Sequence, residues 1–273
     1  MTKTFAAVSA AALALVAMPA AAQDWQGGYV GIAGGYAMVD DEESETTPFD
    51  TDLNGTFGDT VRTTTGADAF SPGFCGGAPN SNNAAAGCQD DDDGQGEISF
   101  RAGYDWQSGP IVFGVVGEFT MSDASDTVTA FSITPAQYSF ERSLDYMTAV
   151  RGRVGYDMGR FLPYVTAGGV YARLENQYNT SNGVNTFTPT SNGVENTGFQ
   201  LGGGVEAQVT QVLRLGVEYL YTSIEDDSDF TVRVAGGPAT SPFLTGNASG
   251  TDQRRSGSDF DTHAFRVTAS FAF

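Results

Sequence analysis

Beyond about residue 24 the chain is dominated by one pattern: apolar and polar residues alternate with a period of two, in eight separate stretches. A strand points successive side chains to opposite faces, so each stretch has two unlike faces. In residues 96–107, Ile98, Phe100, Ala102, Tyr104 and Trp106 oppose Glu97, Ser99, Arg101, Gly103 and Asp105. In 111–122, Ile111, Phe113, Val115, Phe119 and Met121 lie opposite Glu118. In 144–157, Leu144, Tyr146, Val150, Val154 and Tyr156 oppose Asp145, Arg151, Arg153 and Asp157. Residues 199–210 carry Glu206 on the polar face, 212–224 carry Arg214 and Glu218, and 262–273 carry Arg266. Two Gly-rich stretches, 25–39 and 161–173, complete the set. Helical periodicity is nearly absent, which predicts an all-β fold.

The connections alternate too. Tight turns at Gly109-Pro110, Gly159-Arg160 and Thr210-Gln211 are interleaved with long segments at about 40–95, 123–142, 174–197 and 225–261. In an up-and-down meander this puts every short turn at one end and every long loop at the other. Eight such strands predict an antiparallel transmembrane β-barrel with short periplasmic turns and long external loops. A soluble lipocalin-type barrel would show the same alternation turned inside out. The polar face argues against it, because it pairs Arg with acids and holds no lysine; Lys3 is the only lysine in the chain. Only 17% of residues are charged, against roughly 25% on average in soluble domains. Aromatics near strand ends (Trp25, Tyr36, Trp106, Tyr156, Tyr164 and Tyr221) are expected to form the two interfacial girdles. A net charge of −20 with no basic patch speaks against nucleic-acid binding.

Residues 1–22 read as a signal peptide: Lys3 in the charged region, an apolar run over 5–16, Pro19, then Ala20-Ala21-Ala22 before the cleavage point. The barrel domain is then 23–273. Export makes a disulfide between Cys75 and Cys88 possible, worth about 3 kcal/mol for a loop of that size.

At the level of motifs, DWQGGYVGIAGGY near the mature start, RGRVGYDMGRFLPYVTAGGVYA (151–172) and GGGVEAQVTQVLRLGVEYLYT (202–222) resemble strands of the small outer-membrane β-barrel family. This family includes the OmpA-like membrane domains and porin-family surface antigens of Gram-negative bacteria. The resemblance covers the strands and none of the loops. It implies a location in the cell outer membrane, with outer-membrane lipid and lipopolysaccharide as surroundings. The closing RVTASFAF, with Phe271 and Phe273, resembles the terminal aromatic signal read by the barrel-insertion machinery. The family is functionally broad, so it implies location and fold more than activity, and the external ligand stays unknown.

The polar face is expected to line the lumen with Arg101, Arg151, Arg153, Arg173, Arg214 and Arg266 against Glu97, Asp105, Glu118, Asp145, Asp157, Glu206 and Glu218. An eight-stranded barrel is only just wide enough for side chains to fill it. Arg101, Glu118, Arg151, Arg153, Glu206, Arg214 and Glu218 are therefore read as a structural charge network, with an ion path as the competing reading. No catalytic site, metal or cofactor is expected. His263, the sole histidine, has Ser258, Asp259 and Asp261 nearby in sequence but no nucleophile motif. The Asp90–Asp93 run followed by Gly94 fails the EF-hand pattern, because Phe100 stands where the bidentate Glu belongs. Residues 39–95, with thirteen acids and one Arg, read as a solvated loop extended by its own charge. The expected function is a non-enzymatic surface barrel supporting envelope integrity. The alternatives are a narrow porin-type channel and an adhesin or ligand-binding protein acting through the loops.

Overall fold

The computed structural model describes residues 25–40, 46–70, 89–134, 136–190, 193–226, 230–257 and 259–273. The signal-peptide reading, Cys75 and Cys88 lie outside these residues. Fourteen strands are present among them: β1 (Gly27–Val39), β2 (Phe49–Asp50), β3 (Gln89–Asp93), β4 (Gln95–Ser108), β5 (Ile111–Ser122), β6 (Ser125–Phe131), β7 (Gln137–Tyr156), β8 (Phe161–Thr180), β9 (Thr186–Pro189), β10 (Gly193–Gln208), β11 (Leu213–Glu225), β12 (Val232–Ala235), β13 (Thr251–Gln253) and β14 (Asp259–Ala272).

Eight of them close into a barrel. Neighbours run β1–β4–β5–β7–β8–β10–β11–β14, and β14 returns to β1 through pairs such as Gly31↔Ser270. All these pairings are antiparallel. The turns between β4 and β5 and between β7 and β8 bend at Gly109 (φ 60°) and Gly159 (φ 79°), a backbone region that glycine enters without steric cost. Within the wall, a Cβ on Gly168 would collide with the carbonyl oxygen of Val150, so that close approach of β7 and β8 requires glycine.

The two faces of the wall are opposite in character. Val30, Ile32, Phe100, Phe113, Val150, Val165, Leu201, Val217, Phe265 and Val267 are exposed on the outside, while Arg, Glu and Thr are buried within. That is the arrangement of a protein whose outer solvent is hydrocarbon. Aromatics gather at both edges of this band. Trp106 stacks on Phe113 at 5.8 Å at the short-turn edge. At the other edge the Tyr219 ring lies 5.0 Å from Phe265 and Tyr221 5.2 Å from His263. Two of the six predicted girdle aromatics are elsewhere. Trp25 and Tyr164 are buried, because each sits in a position whose Cβ faces the lumen.

The strand predictions fall short on the long-loop side. β7 and β8 each run to 20 residues, whereas a tilted strand needs only about 9–11 to cross a bilayer. Their outer halves stand clear of the membrane and carry β6 and β3 beside them. A register irregularity between Leu144 and Tyr146 exchanges the two faces of β7. Leu144 is therefore buried and Asp145 exposed, the reverse of the simple alternation.

The acidic first loop is not simply extended. Residues 46–70 fold over the barrel, and β2, β13, β12 and β9 form a second, four-stranded sheet. Its core joins Phe49, Val61 and Phe70 to Tyr138, Val234 and Phe243. Phe49 and Phe70 lie 4.7 Å apart between ring centres.

Val150 and Val184 are 64% and 63% exposed, but only Val150 faces the membrane. Val150→Arg is expected to cost about 2–4 kcal/mol of folding stability in lipid vesicles, and Val184→Arg under about 0.5 kcal/mol. Urea titration followed by tryptophan fluorescence measures both.

Candidate functional site: the barrel lumen and its external closure

Alternation points every second residue of each barrel strand into a cylinder too narrow to hold bulk water, and in β4, β5, β7, β10, β11 and β14 many of these side chains are polar. These side chains must satisfy one another. All seven residues of the sequence-predicted network are buried there.

Near the periplasmic end, Arg153 bridges two carboxylates: its Nε donates to Asp105 Oδ1 at 2.8 Å and its Nη1 to Glu206 Oε1 at 2.8 Å. Arg214 Nη1 donates to Asp105 Oδ2 at 3.0 Å and its Nη2 to the carbonyl of Trp25 at 2.9 Å. The Arg153 guanidinium lies 4.8 Å over the Tyr29 ring, and that of Arg214 lies 5.0 Å over Trp25. Trp25 is thus the floor of the lumen, with its Nε1 donating to Asp157 at 3.2 Å.

At mid-height, Arg151 Nη2 donates to Glu118 Oε2 at 3.0 Å. Arg266 donates to Glu118 Oε1, to Glu218 Oε2 (2.9 Å) and to Glu97 Oε1 (3.2 Å). Tyr164 donates to Glu218 Oε1 at 2.8 Å. Arg101 stands 3.7 Å from Glu218. Arg can hold two carboxylates at once through its planar fork of five donors, a fixed bidentate geometry that lysine's single ammonium lacks. Among the described residues, Arg101, Arg151, Arg153, Arg214 and Arg266 thus face Glu97, Asp105, Glu118, Glu206 and Glu218, and the filled lumen is electrically balanced.

Three predicted lumen residues are outside it. Arg173 and Asp145 pair at 3.8 Å on the half-exposed outer surface. The irregularity in β7 turns Asp145 outward, and in β8 Val170, Ala172 and Leu174 hold the inward positions, leaving Arg173 between them facing out. Asp157 lies in the periplasmic turn, where its carboxylate also accepts from Gln107 Nε2 at 2.8 Å.

Sequence reasoning missed what lies above the charges. Leu144, Met147, Ala149, Val170, Ala172, Leu174, Ile224 and Phe260 form an apolar cluster on the inward side of the outer strand halves. Over it lies a further ionic layer. Arg142 donates to Asp126 Oδ2 (2.7 Å), Asp226 Oδ2 (3.2 Å) and the carbonyl of Asp259 (2.7 Å). Arg255 also donates to Asp126 Oδ2, at 2.6 Å. These contacts tie β6, β7 and both ends of the fourth loop together. The signal available beforehand was slight: Arg142 shares the inward parity only after the face exchange at Leu144–Tyr146.

His263 is on the outer wall, not in a cleft. Its Nδ1 lies 2.7 Å from the Tyr219 hydroxyl, and neighbouring Asp261 accepts from Tyr221 at 2.6 Å. Ser258 lies outside the described residues. Phe271 and Phe273 are exposed at the periplasmic rim.

A closed eight-stranded barrel with an apolar outer wall, aromatic edges and an ion-paired interior is an outer-membrane barrel protein. The chain belongs to the outer membrane protein β-barrel domain family, which it matches over residues 7–273. It is 36% identical over 123 residues to the 22 kDa outer membrane protein of Rhizobium leguminosarum bv. viciae, a match spanning 45% of this chain and 50% of that protein. It is 26% identical over 210 residues to the 31 kDa outer-membrane immunogenic protein of Brucella melitensis biotype 1, covering 76% of this chain and 75% of that protein. Among solved structures, the outer membrane protein OprG from Pseudomonas aeruginosa superposes with a TM-score of 0.49 at 13% identity, covering 91% of this chain and 97% of that one. The protein is located in the outer membrane.

Glu118 joins Arg151 to Arg266, so Glu118→Ala leaves two buried guanidinium groups short of a partner. A loss of about 3–5 kcal/mol is expected, read from urea unfolding in vesicles. In the outer layer, burial resists ionisation of Asp126, but Arg255 and Arg142 outweigh it and hold the carboxyl below its ordinary range. A carboxylate whose folded pKa is depressed stabilises the fold above its unfolded pKa, about 4, and loses that contribution as pH falls through the lower folded value. Amide-exchange protection of residues 251–257, corrected for intrinsic rates, should be level near neutrality and fall only on the acid side of pH ~4. Asp126→Asn should lower it at neutral pH and flatten the acid-side fall.

Proposed function

We propose that this chain is a closed, non-enzymatic outer-membrane barrel that supports the envelope mechanically and presents a folded external cap to its surroundings. The observation that carries this reading is the filling of the lumen along its length. Two ionic layers at Arg153 and Glu118, the apolar cluster around Leu144 and Phe260, and the Arg142–Asp126–Arg255 closure occupy it in succession. A narrow porin would need a continuous polar path, and the apolar cluster interrupts one. The seven-residue charge network then acts as a plug that fixes strand register, because Arg151 and Arg153 each join carboxylates of two other strands and Arg101 and Arg214 each pair with a carboxylate of another strand.

A hydrolase would need an activated nucleophile beside a base. His263 instead packs in the outer aromatic edge against Tyr219 and Tyr221. The partners in this reading are outer-membrane lipid and lipopolysaccharide along the wall, the barrel-insertion machinery at Phe271 and Phe273, and an external ligand met by the cap. The name of the Brucella relative, an immunogenic outer-membrane protein, supports exposure of such a cap at the surface.

Planar-bilayer recording tests the closed reading. The purified barrel is expected to give no steady single-channel steps at neutral pH. Regular, sizeable steps from the native protein would overturn it in favour of the porin.

A further inference from the structure

All four external loops meet around one cleft. Thr63 and Phe70 of the first, Ser132 to Thr134 of the second, Ser181 to Asn185 of the third and Pro238 to Phe243 of the fourth enclose about 470 Å³. That volume falls within the range of small-molecule sites. We propose that this cleft binds an uncharged small molecule with an apolar body. The proposal deepens the loop-mediated part of the reading above and rests on the loops facing outward.

Three observations select the ligand class. First, among the described residues no Asp, Glu, Arg, Lys or His lines the cleft, although the chain holds 33 acids. An ion of either sign would leave water there for no partner. Second, Ile133 and Val184, 47% and 63% exposed, flank it. They are the large exposed apolar side chains of the external loops among the described residues, and a soluble surface presents such groups together mainly where something binds. The floor behind them is Phe70, Tyr138 and Phe243, in T-shaped and tilted contact at 5.2–6.1 Å, which makes it rigid. Third, the amides of the lining are already committed to one another. Asn182 Nδ2 donates to the Tyr138 hydroxyl (3.0 Å) and to Asn185 Oδ1 (3.2 Å), while Asn182 Oδ1 accepts from the amide of Val184 (2.9 Å). Asn185 Nδ2 donates to the carbonyl of Gly236 (2.7 Å) and to Ser241 Oγ (3.0 Å). A sugar would meet amides whose hydrogen bonds are spent, and only side-chain hydroxyls such as those of Thr134 and Thr240 would remain for its many donors. An apolar body loses nothing by that arrangement and gains the burial of Ile133 and Val184.

The test uses the full barrel in lipid nanodiscs with Ile and Val methyls labelled for NMR, and toluene as the probe. Toluene enters lipid, so the lipid-facing Val150 and Val165 report partitioning while Ile133 and Val184 report the cleft. The expected result is saturable shifts at Ile133 and Val184 only, weakened at least tenfold by Thr240→Trp, which fills the cleft from the fourth loop. Thr134→Trp fills it from the second loop and serves if the first variant loses the native methyl spectrum. Unsaturated drift shared by all four residues, or saturation unmoved by a natively folded Trp variant, overturns the site. Equal or tighter saturation by benzoate or methyl β-glucoside overturns the ligand class. Conductance does not enter this readout, so a conducting barrel that still saturates with toluene would fail the closed reading and keep the site.

Discussion

Guanidinium groups held between carboxylates inside a narrow, lipid-coated cylinder are the constraint on which the rest of the structure depends. Neither partner can be solvated there, and a lone buried charge costs several kcal/mol. Each Arg must therefore meet its acids at one register of strands and no other. Arg153 can bridge Asp105 and Glu206 only if β4, β7 and β10 are staggered as they are. The apolar outer wall would tolerate a slip of two residues with little loss. On the reading proposed above, the ionic interior would not, and it specifies the barrel more sharply than the hydrophobic surface does.

The same constraint explains the vertical order of the lumen. Charges concentrate at mid-height and toward the periplasmic end, where Trp25 and Tyr29 close over Arg214 and Arg153. Where β7 and β8 rise out of the bilayer, the interior turns apolar around Leu144, Leu174 and Phe260. There the wall is wetted outside, and the filling follows the rule of an ordinary protein core. The Arg142 and Arg255 pairs then tie the loops over this core, and the four-stranded external sheet is built on top. The protein is thus an inside-out barrel below and an ordinary soluble fold above, sharing β7 and β8.

The barrel was legible in the sequence to the extent that period-two alternation is a local property. Arg101, Glu118, Arg151, Arg153, Glu206, Arg214 and Glu218 could all be placed on the inward face by counting along their own strands. Counting failed where the period itself breaks. One irregularity at Leu144–Tyr146 reversed the faces of Leu144 and Asp145, and it hid Arg142. Arg173 was misplaced because the Gly-rich first half of β8 gives little amphipathic signal from which to set its parity. Trp25 and Tyr164 were read as girdle residues from their nearness to strand ends, although parity sends both inward. The cap was illegible for a different reason. Phe49, Phe70, Tyr138, Val234 and Phe243 come from three loops and none belongs to a periodic segment, so no local pattern joins them.

A nitroxide scan of residues 98–105 in β4, with the protein in a bilayer, tests the central claim most directly. The account predicts that labels at Ile98, Phe100, Ala102 and Tyr104 relax strongly with oxygen and not with a water-soluble nickel chelate. Labels at Ser99, Arg101, Gly103 and Asp105 should be immobilised and reached by neither reagent. Nickel access at the second set would mean a water-filled lumen, and nickel access at the first would mean that the apolar face does not meet lipid; either result contradicts the account.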